Sequence, residues 1–230
     1  MGLFDKLKAA NEERKRRDAA QAAQFKYNVE LTQWQKDYSL GERLLKAVEA
    51  CRDGSNAVSV EMVLKKGEHS IWSGPAGLIE TRKTAGGYVG KSRGVSIPIG
   101  HTGLRYRVGA SSGTFVPGKE YQSVVDSGTV TLSNQRVVFT GQKESREWSF
   151  SKWLGADANS SETIYLFHVS NRQKVSGLGF NTVEVGHEFN RFLGLALQIQ
   201  DGEFQGELEE LRASVNELTS KKPQEPKAIE

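Results

Sequence analysis

Eight residues, Ala85-Gly-Gly-Tyr-Val-Gly-Lys91-Ser92, carry the spacing of a relaxed phosphate-binding loop. Lys91 and Ser92 stand where a nucleotide site needs a phosphate cation and a magnesium-binding hydroxyl. That chemistry also needs a helix to open at the lysine, because its first amides cradle the phosphates. Arg93-Gly-Val-Ser-Ile-Pro-Ile-Gly100 follows instead, and its glycines, proline and β-branched residues predict extended chain. The segment is read as a glycine-rich hairpin turn. His69, His101, His168 and His187 are far apart, with no His-x-x-x-His pair and no cysteine companion, so no zinc site and no other cofactor is expected. No strand-to-helix nucleophile elbow raises one serine above the others. Asp201, Glu203, Glu207, Glu209 and Glu210 read as a solvated face rather than a catalytic carboxylate pair. The single cysteine, Cys51, has no activating charge or histidine pattern nearby and reads as a structural thiol in a reducing compartment.

The basic residues hold more promise. Lys143, Arg146 and Lys152 lie on or beside one predicted hairpin, and Arg172 and Lys174 sit in the turn of the next, Asn171-Arg-Gln-Lys174. Together they predict a positive rim that could engage phosphates as point charges and bidentate donors, partly neutralised by Glu144 and Glu147. At the other end of the chain, Leu3, Phe4 and Leu7 precede Arg14-Lys-Arg-Arg17, the pattern of a short interfacial helix that could touch a membrane surface. Three apolar side chains contribute only a few kcal/mol before ordering costs, so attachment would need the basic run and an anionic leaflet. Lys6 occupies the position that the myristoylation pattern reserves for serine or threonine.

These residues must be positioned by some 230 positions, 37% of them hydrophobic, with a net charge of only +3. That is enough apolar content for a packed core, and the weak charge does not call for nucleic acid as a partner. No run of eighteen apolar residues and no secretory leader is read, so the expected setting is the cytoplasm, with peripheral contact to the inner face of the cell membrane as the alternative. Residues 1–56 predict a helical arm, with a break near Ser39 because Ser39 and Glu42 have capping-box spacing. Leu31, Trp34 and Tyr38 share one helix face that should lie against the sheet domain or a copy of itself. Asp53-Gly-Ser-Asn56 ends the arm.

Residues 57–200 predict a β domain with a capping helix. Candidate strands are 58–65, 69–72, 77–82, 95–99, 104–108, 128–132, 136–140, 147–150, 163–169 and 174–178, with 109–118 a loop by composition. In the clearest hairpin, Val130, Leu132, Val137 and Phe139 face inward, while Thr129, Thr131, Gln135 and Arg136 stay wet. Trp148 and Trp153 are expected as core anchors. A helix over about 187–200, with Phe189, Phe192, Leu193, Ala196 and Leu197 on one face, should plug the barrel. Over 201–222, Phe204, Leu208, Leu211, Val215 and Leu218 step by four, three, four and three residues. This seam either docks on the N-terminal arm or makes an oligomer contact. The tail 223–230 is expected to be disordered.

The string Gly128-Thr-Val-Thr-Leu-Ser-Asn-Gln-Arg-Val-Val-Phe-Thr-Gly141, followed by Glu147-Trp-Ser-Phe-Ser-Lys-Trp-Leu-Gly155, resembles the bacterial pleckstrin-homology (PH) and GRAM-like domains, which often read Gly-x-Leu-x-Ile-Thr-Asn-x-Arg-Val-x-Phe. The likeness covers about 58–200. It implies an α+β fold, a small antiparallel PH-like barrel or sandwich stoppered by a C-terminal helix, and a family whose members read phospholipid headgroups, bind peptides or serve as scaffolds. The long helical arm and the extended region 85–118, an elaborated hairpin, depart from a simple family member. The expectation is a non-enzymatic binding or scaffold module that presents its β domain to a protein partner or an anionic phospholipid, with helices mediating assembly. Its rivals are a peripheral membrane adaptor and an enzyme whose site the sequence does not show.

Overall fold

The computed structural model describes residues 2–85, 87–98, 105–116, 119–200, 202 and 204–226. The chain is α+β, built from a long N-terminal helix, a seven-stranded antiparallel sheet and two C-terminal helices.

Helix α1 spans Leu3–Arg52 without interruption. The break expected at Ser39 does not form, because a second helix lies where the turn would be. A Cβ at Gly41 would stand 3.1 Å from Val215 Cγ2, so the glycine permits a close crossing that offsets its cost of about 1 kcal/mol within a helix. Trp34 stacks on Tyr38 at 5.1 Å and donates Nε1–H to the Leu218 carbonyl at 2.6 Å. The face of Trp34 and Tyr38 thus meets the chain's own C-terminal helix.

The sheet uses β1 (Ser70–Lys83), β4 (Glu120–Ser133), β5 (Arg136–Gly141), β6 (Ser145–Ser149), β7 (Trp153–Ala158), β8 (Ile164–Val169) and β9 (Ser176–Gly179), in the order β6-β5-β4-β1-β9-β8-β7. Strand β1 is the middle of the sheet, pairing antiparallel with β4 on one side and β9 on the other. The hairpin of β4 and β5 pairs Val130 with Phe139 and Leu132 with Val137, all four fully buried as their alternation requires. Two expected strands, 69–72 and 77–82, merge into β1. Expected strand 58–65 is irregular chain, and β7 was not anticipated, since its only large apolar residue beyond Trp153 is the exposed Leu154.

The sheet is not a closed barrel. A turn of 3-10 helix, Phe150–Lys152, redirects the chain after β6. Across the gap between the end strands, side chains meet where a ladder would have run: Trp148 packs edge-on against Phe167 at 5.0 Å, and Trp153 lies 5.6 Å from Phe150 and 5.1 Å from Phe167. Helix α2 (Val183–Gln200) covers the concave face, where Phe189 sits 5.6 Å from Trp72, 5.4 Å from Tyr165 and 4.9 Å from Phe180. Glu188 of α2 joins three elements, accepting a bidentate pair from Arg43 at 2.7 and 2.8 Å and the Trp72 indole N–H at 2.5 Å.

Helix α3 (Phe204–Ser220) lays the Leu208 and Val215 side of its seam against α1, burying both, and Arg212 reaches Glu49 at 2.8 Å. Of the tail, residues 223–226 carry no helix or strand and 227–230 lie outside the described residues.

Between β1 and β4 the chain makes a separate two-stranded ribbon, β2 (Gly87–Pro98) with β3 (Arg105–Val116), which pairs with no strand of the main sheet. The elaborated hairpin is therefore present, but 109–116 is strand rather than loop. In its register Gly90 lies opposite Gly113, Ser92 opposite Ser111 and Gly94 opposite Gly109. The ribbon is tied to the sheet by Thr84, whose N–H donates to the Lys119 carbonyl at 2.9 Å and whose Oγ1 accepts from Lys119 N–H at 2.8 Å.

Candidate functional site

The β1–β9 pairing sets Glu80 beside Ser176 and so brings the end of β1 against the turn that joins β8 to β9. The Lys83–Glu120 pairing adds the start of β4, and Arg146 reaches over from β6. These four elements enclose a cleft of about 990 Å³ at the root of the ribbon, lined among others by Arg82, Lys83, Glu120, Arg146, Arg172 and Lys174.

The cations of this cleft fall into two groups. Lys83 pairs with Glu120 at 2.8 Å, and Arg146 pairs with Glu80 at 2.8 Å through Nε and with Glu144 at 2.9 Å through a terminal nitrogen. Lys83's hydrogen bond holds the Glu120 carboxyl below the usual carboxylate range, and Lys174 adds a weaker pull in the same direction. Arg82, Arg172 and Lys174 have no ion pair with a described residue, and all three are exposed. All three border the cleft and remain open to solvent.

Of the five residues expected to form the positive rim, Arg146, Arg172 and Lys174 come together here, although Arg146 is already engaged. Lys143 and Lys152 do not line the cleft. Lys143 belongs to a turn organised by Asp126, whose carboxylate accepts backbone N–H bonds from Lys143 at 2.8 Å, Glu144 at 2.9 Å and Ser127 at 2.9 Å. Those bonds, Lys143's first, hold the Asp126 carboxyl low. Lys152 is exposed on the 3-10 turn, where its carbonyl accepts from Ser170 N–H at 2.8 Å. Arg82 and Lys83 were missed by sequence reading. They read there as the polar end of a strand, and only the distant pairing of β1 with β9 gives them neighbours in the 172–174 turn.

The largest correction concerns Arg136, expected to stay wet. It is buried, with Nε 2.7 Å and a terminal nitrogen 2.9 Å from the two Glu68 oxygens, its other terminal nitrogen 2.7 Å from Glu147, and a further bond of 2.9 Å to the Val63 carbonyl. Glu68 also accepts from Ser133 Oγ and from Lys65 N–H, each at 2.7 Å. Burial alone would raise the Glu68 carboxyl, but the bonds from Arg136, Lys65 N–H and Ser133 outweigh it and hold it below its ordinary value. Asn134 of the same Asn-x-Arg string accepts from His69 N–H at 2.8 Å and donates to the Gly67 carbonyl at 3.1 Å. The string that carried the family resemblance thus fastens the irregular 58–69 segment onto the sheet. Thr131, also expected to be wet, is buried.

Other candidates stay apart. Lys91 and Ser92 lie in mid-strand on β2, opposite Ser112 and Ser111, and no helix follows them. Two Gly-x-Ser-x-Gly strings, 90–94 and 109–113, face each other in the same ladder and likewise open no helix. His168 Nε2 sits 2.8 Å from Asp157 across β7 and β8, and His187 sits 3.5 Å from Glu162. Among the described residues no three His, Cys, Asp or Glu side chains gather as a metal site would require. Asp201 and Glu203 lie outside the described residues. Cys51 is buried, and burial pushes its thiol up to about 11, which leaves it a poor nucleophile.

At the N-terminus, Phe4 is 86% and Leu7 61% exposed, while the Leu3 side chain lies outside what is described. Among the described residues no helix is long and apolar enough to cross a membrane. The seam offered as an oligomer contact is occupied within the chain: Leu208 and Val215 are buried, and Phe204, Leu211 and Leu218 are half-buried. Compared with known proteins, the chain matches no family model and no curated protein.

Proposed function

We propose that this protein is a non-enzymatic PH/GRAM-like binding module whose β domain takes the anionic headgroup of a phospholipid in the cleft at the root of the ribbon. The observation that carries this reading is the trio Arg82, Arg172 and Lys174, without an ion pair to any described residue, around a concavity in which the other cations, Lys83 and Arg146, are already held by acids. Two meanders joined through β1, with a helix packed on the concave face, support the family reading. Planar guanidinium groups suit paired phosphate oxygens, and a lysine adds a compact point charge. Each exposed cation near an anionic surface contributes about 1 kcal/mol, so the interaction should weaken as salt rises.

Sedimentation with vesicles tests this directly. The chain should pellet with vesicles rich in anionic phospholipid and remain in solution with phosphatidylcholine alone. Arg172→Glu with Lys174→Glu should weaken binding at least ~30-fold, the equivalent of removing two such attractions. Pelleting that is indifferent to both lipid charge and the double variant would end the proposal.

A further inference from the structure

The first half of α1 stands clear of the rest of the chain. From residue 2 to residue 30 every described side chain is exposed except the half-buried Ala20 and Tyr27. Isolated helices of this kind gain little from propensity alone and draw most of their stability from packing an apolar face. Such a face exists. Phe4, Leu7, Phe25 and Val29 are 86%, 61%, 72% and 53% exposed, and with Ala22 they fall on one side of the helix, stepping by three or four residues through 4, 7, 11, 14, 18, 22, 25 and 29. The opposite side, through Tyr27, Leu31, Trp34 and Tyr38, is the one that turns toward α3. The exposed stripe is apolar at both ends and polar in the middle, where Asn11, Arg14 and Asp18 stand.

We infer that this stripe is the contact by which two copies of the chain pair through α1, antiparallel, about an axis near residue 16. In that register Phe4 meets Val29 of the second copy, Leu7 meets Phe25 and Asn11 meets Ala22. Arg14 meets Asp18, and the exchange happens twice. Charge decides the orientation. A parallel pair would set Arg14 on Arg14 and Asp18 on Asp18, whereas the antiparallel pair converts both into opposite-charge contacts. Arg14 and Asp18 are available for it, being 82% and 69% exposed and only 4.0 Å apart within one helix. The basic run beside the axis is largely compensated, since 12–18 holds four bases and three acids and Arg17 is paired with Glu13. A lipid surface fits the stripe less well. The helix would have to bring Asp18 to an anionic interface in order to reach it with both apolar ends, which lie roughly 38 Å apart at 1.5 Å per residue.

The test is the solution mass of the full chain by light scattering across a concentration series, with helicity followed in parallel. The wild-type chain should reach twice the single-chain mass. Phe25→Asp and Arg14→Asp should each return it to one chain, while Arg14→Asp with Asp18→Arg should restore the doubled mass, because the swapped charges again meet their opposites. In a mixture of a Phe4→Cys chain with a Val29→Cys chain, oxidation should link unlike chains. A single-chain mass at every concentration, a doubled mass that survives Phe25→Asp, or preferential linkage of Phe4→Cys chains to each other would overturn the pairing. So would a monomer that pellets with anionic vesicles and loses that binding on Phe4→Asp, since the stripe would then belong to the membrane.

Discussion

Two arginine clusters on the same sheet behave in opposite ways. Around Arg136 each guanidinium nitrogen has a partner, two carboxylates are fixed, and the Arg136–Glu68 pair is buried. Around Arg82, Arg172 and Lys174 the cations border a cleft in which no described acid forms an ion pair with them, and Lys174 only draws weakly on Glu120. Residue type does not separate the two groups, since arginine, lysine and glutamate occur in both, as Arg136, Lys65 and Glu68 in one and Arg82, Lys174 and Glu120 in the other. What separates them is whether an acid arrives from another part of the chain. Glu68 comes to Arg136 from a loop sixty-eight residues upstream, whereas among the described residues no acid forms an ion pair with the 172–174 turn.

Breaking the buried cluster should cost most. Arg136→Ala leaves Glu68 buried and uncompensated, a loss of about 3–5 kcal/mol, to be read as a lower urea midpoint. Replacing both partners by apolar residues, Arg136→Met with Glu68→Met, should recover most of that loss, which would locate the damage in the orphaned charge. A single variant within 0.5 kcal/mol of wild type would place the lock elsewhere.

A second difference appears with acid. Because the folded Glu68 carboxyl lies below its unfolded value of about 4.3, its contribution is fully present above that pH and drains away as pH falls through the folded value. Urea midpoints taken from about pH 5 down to pH 2 should therefore fall, and fall less steeply in the Arg136→Met, Glu68→Met double variant. Parallel slopes would show that another carboxylate governs acid unfolding.

The smallest effect sharpens the cleft. Lys143→Ala and Lys152→Ala remove exposed charges outside it and should leave stability within about 0.5 kcal/mol and headgroup binding within about threefold, in contrast to the 172–174 variants. Equal losses from all of these positions would indicate diffuse attraction rather than a site.

The sheet hairpin was legible because Val130, Leu132, Val137 and Phe139 alternate so cleanly, and α2 because its aromatic stripe is broad. Helix α1 was legible in composition but not in continuity. Its capping box at Ser39 is a local preference, and the decisive contact, Val215 over Gly41, comes from the far end of the chain. The ribbon strand over 109–116 was hidden by the glycine and serine content that marks loops elsewhere, since its strand character arises only in the pairing with β2. Three of the cleft's five cations, Arg146, Arg172 and Lys174, were readable from charge spacing. Arg82 and Lys83 were not, for their significance arises only when β1 meets β9.

The middle strand of the sheet is also the first strand to be made. Leu78 finds Asp126 on one side early, yet its neighbour on the other side, Leu178, is synthesised a hundred residues later. Until β9 emerges, the growing polypeptide carries a half-finished sheet whose central edge offers unsatisfied amides and carbonyls to any stray strand. Such late, distant closure makes for slow folding, and the interval before it is when the newborn chain is most exposed to misassembly.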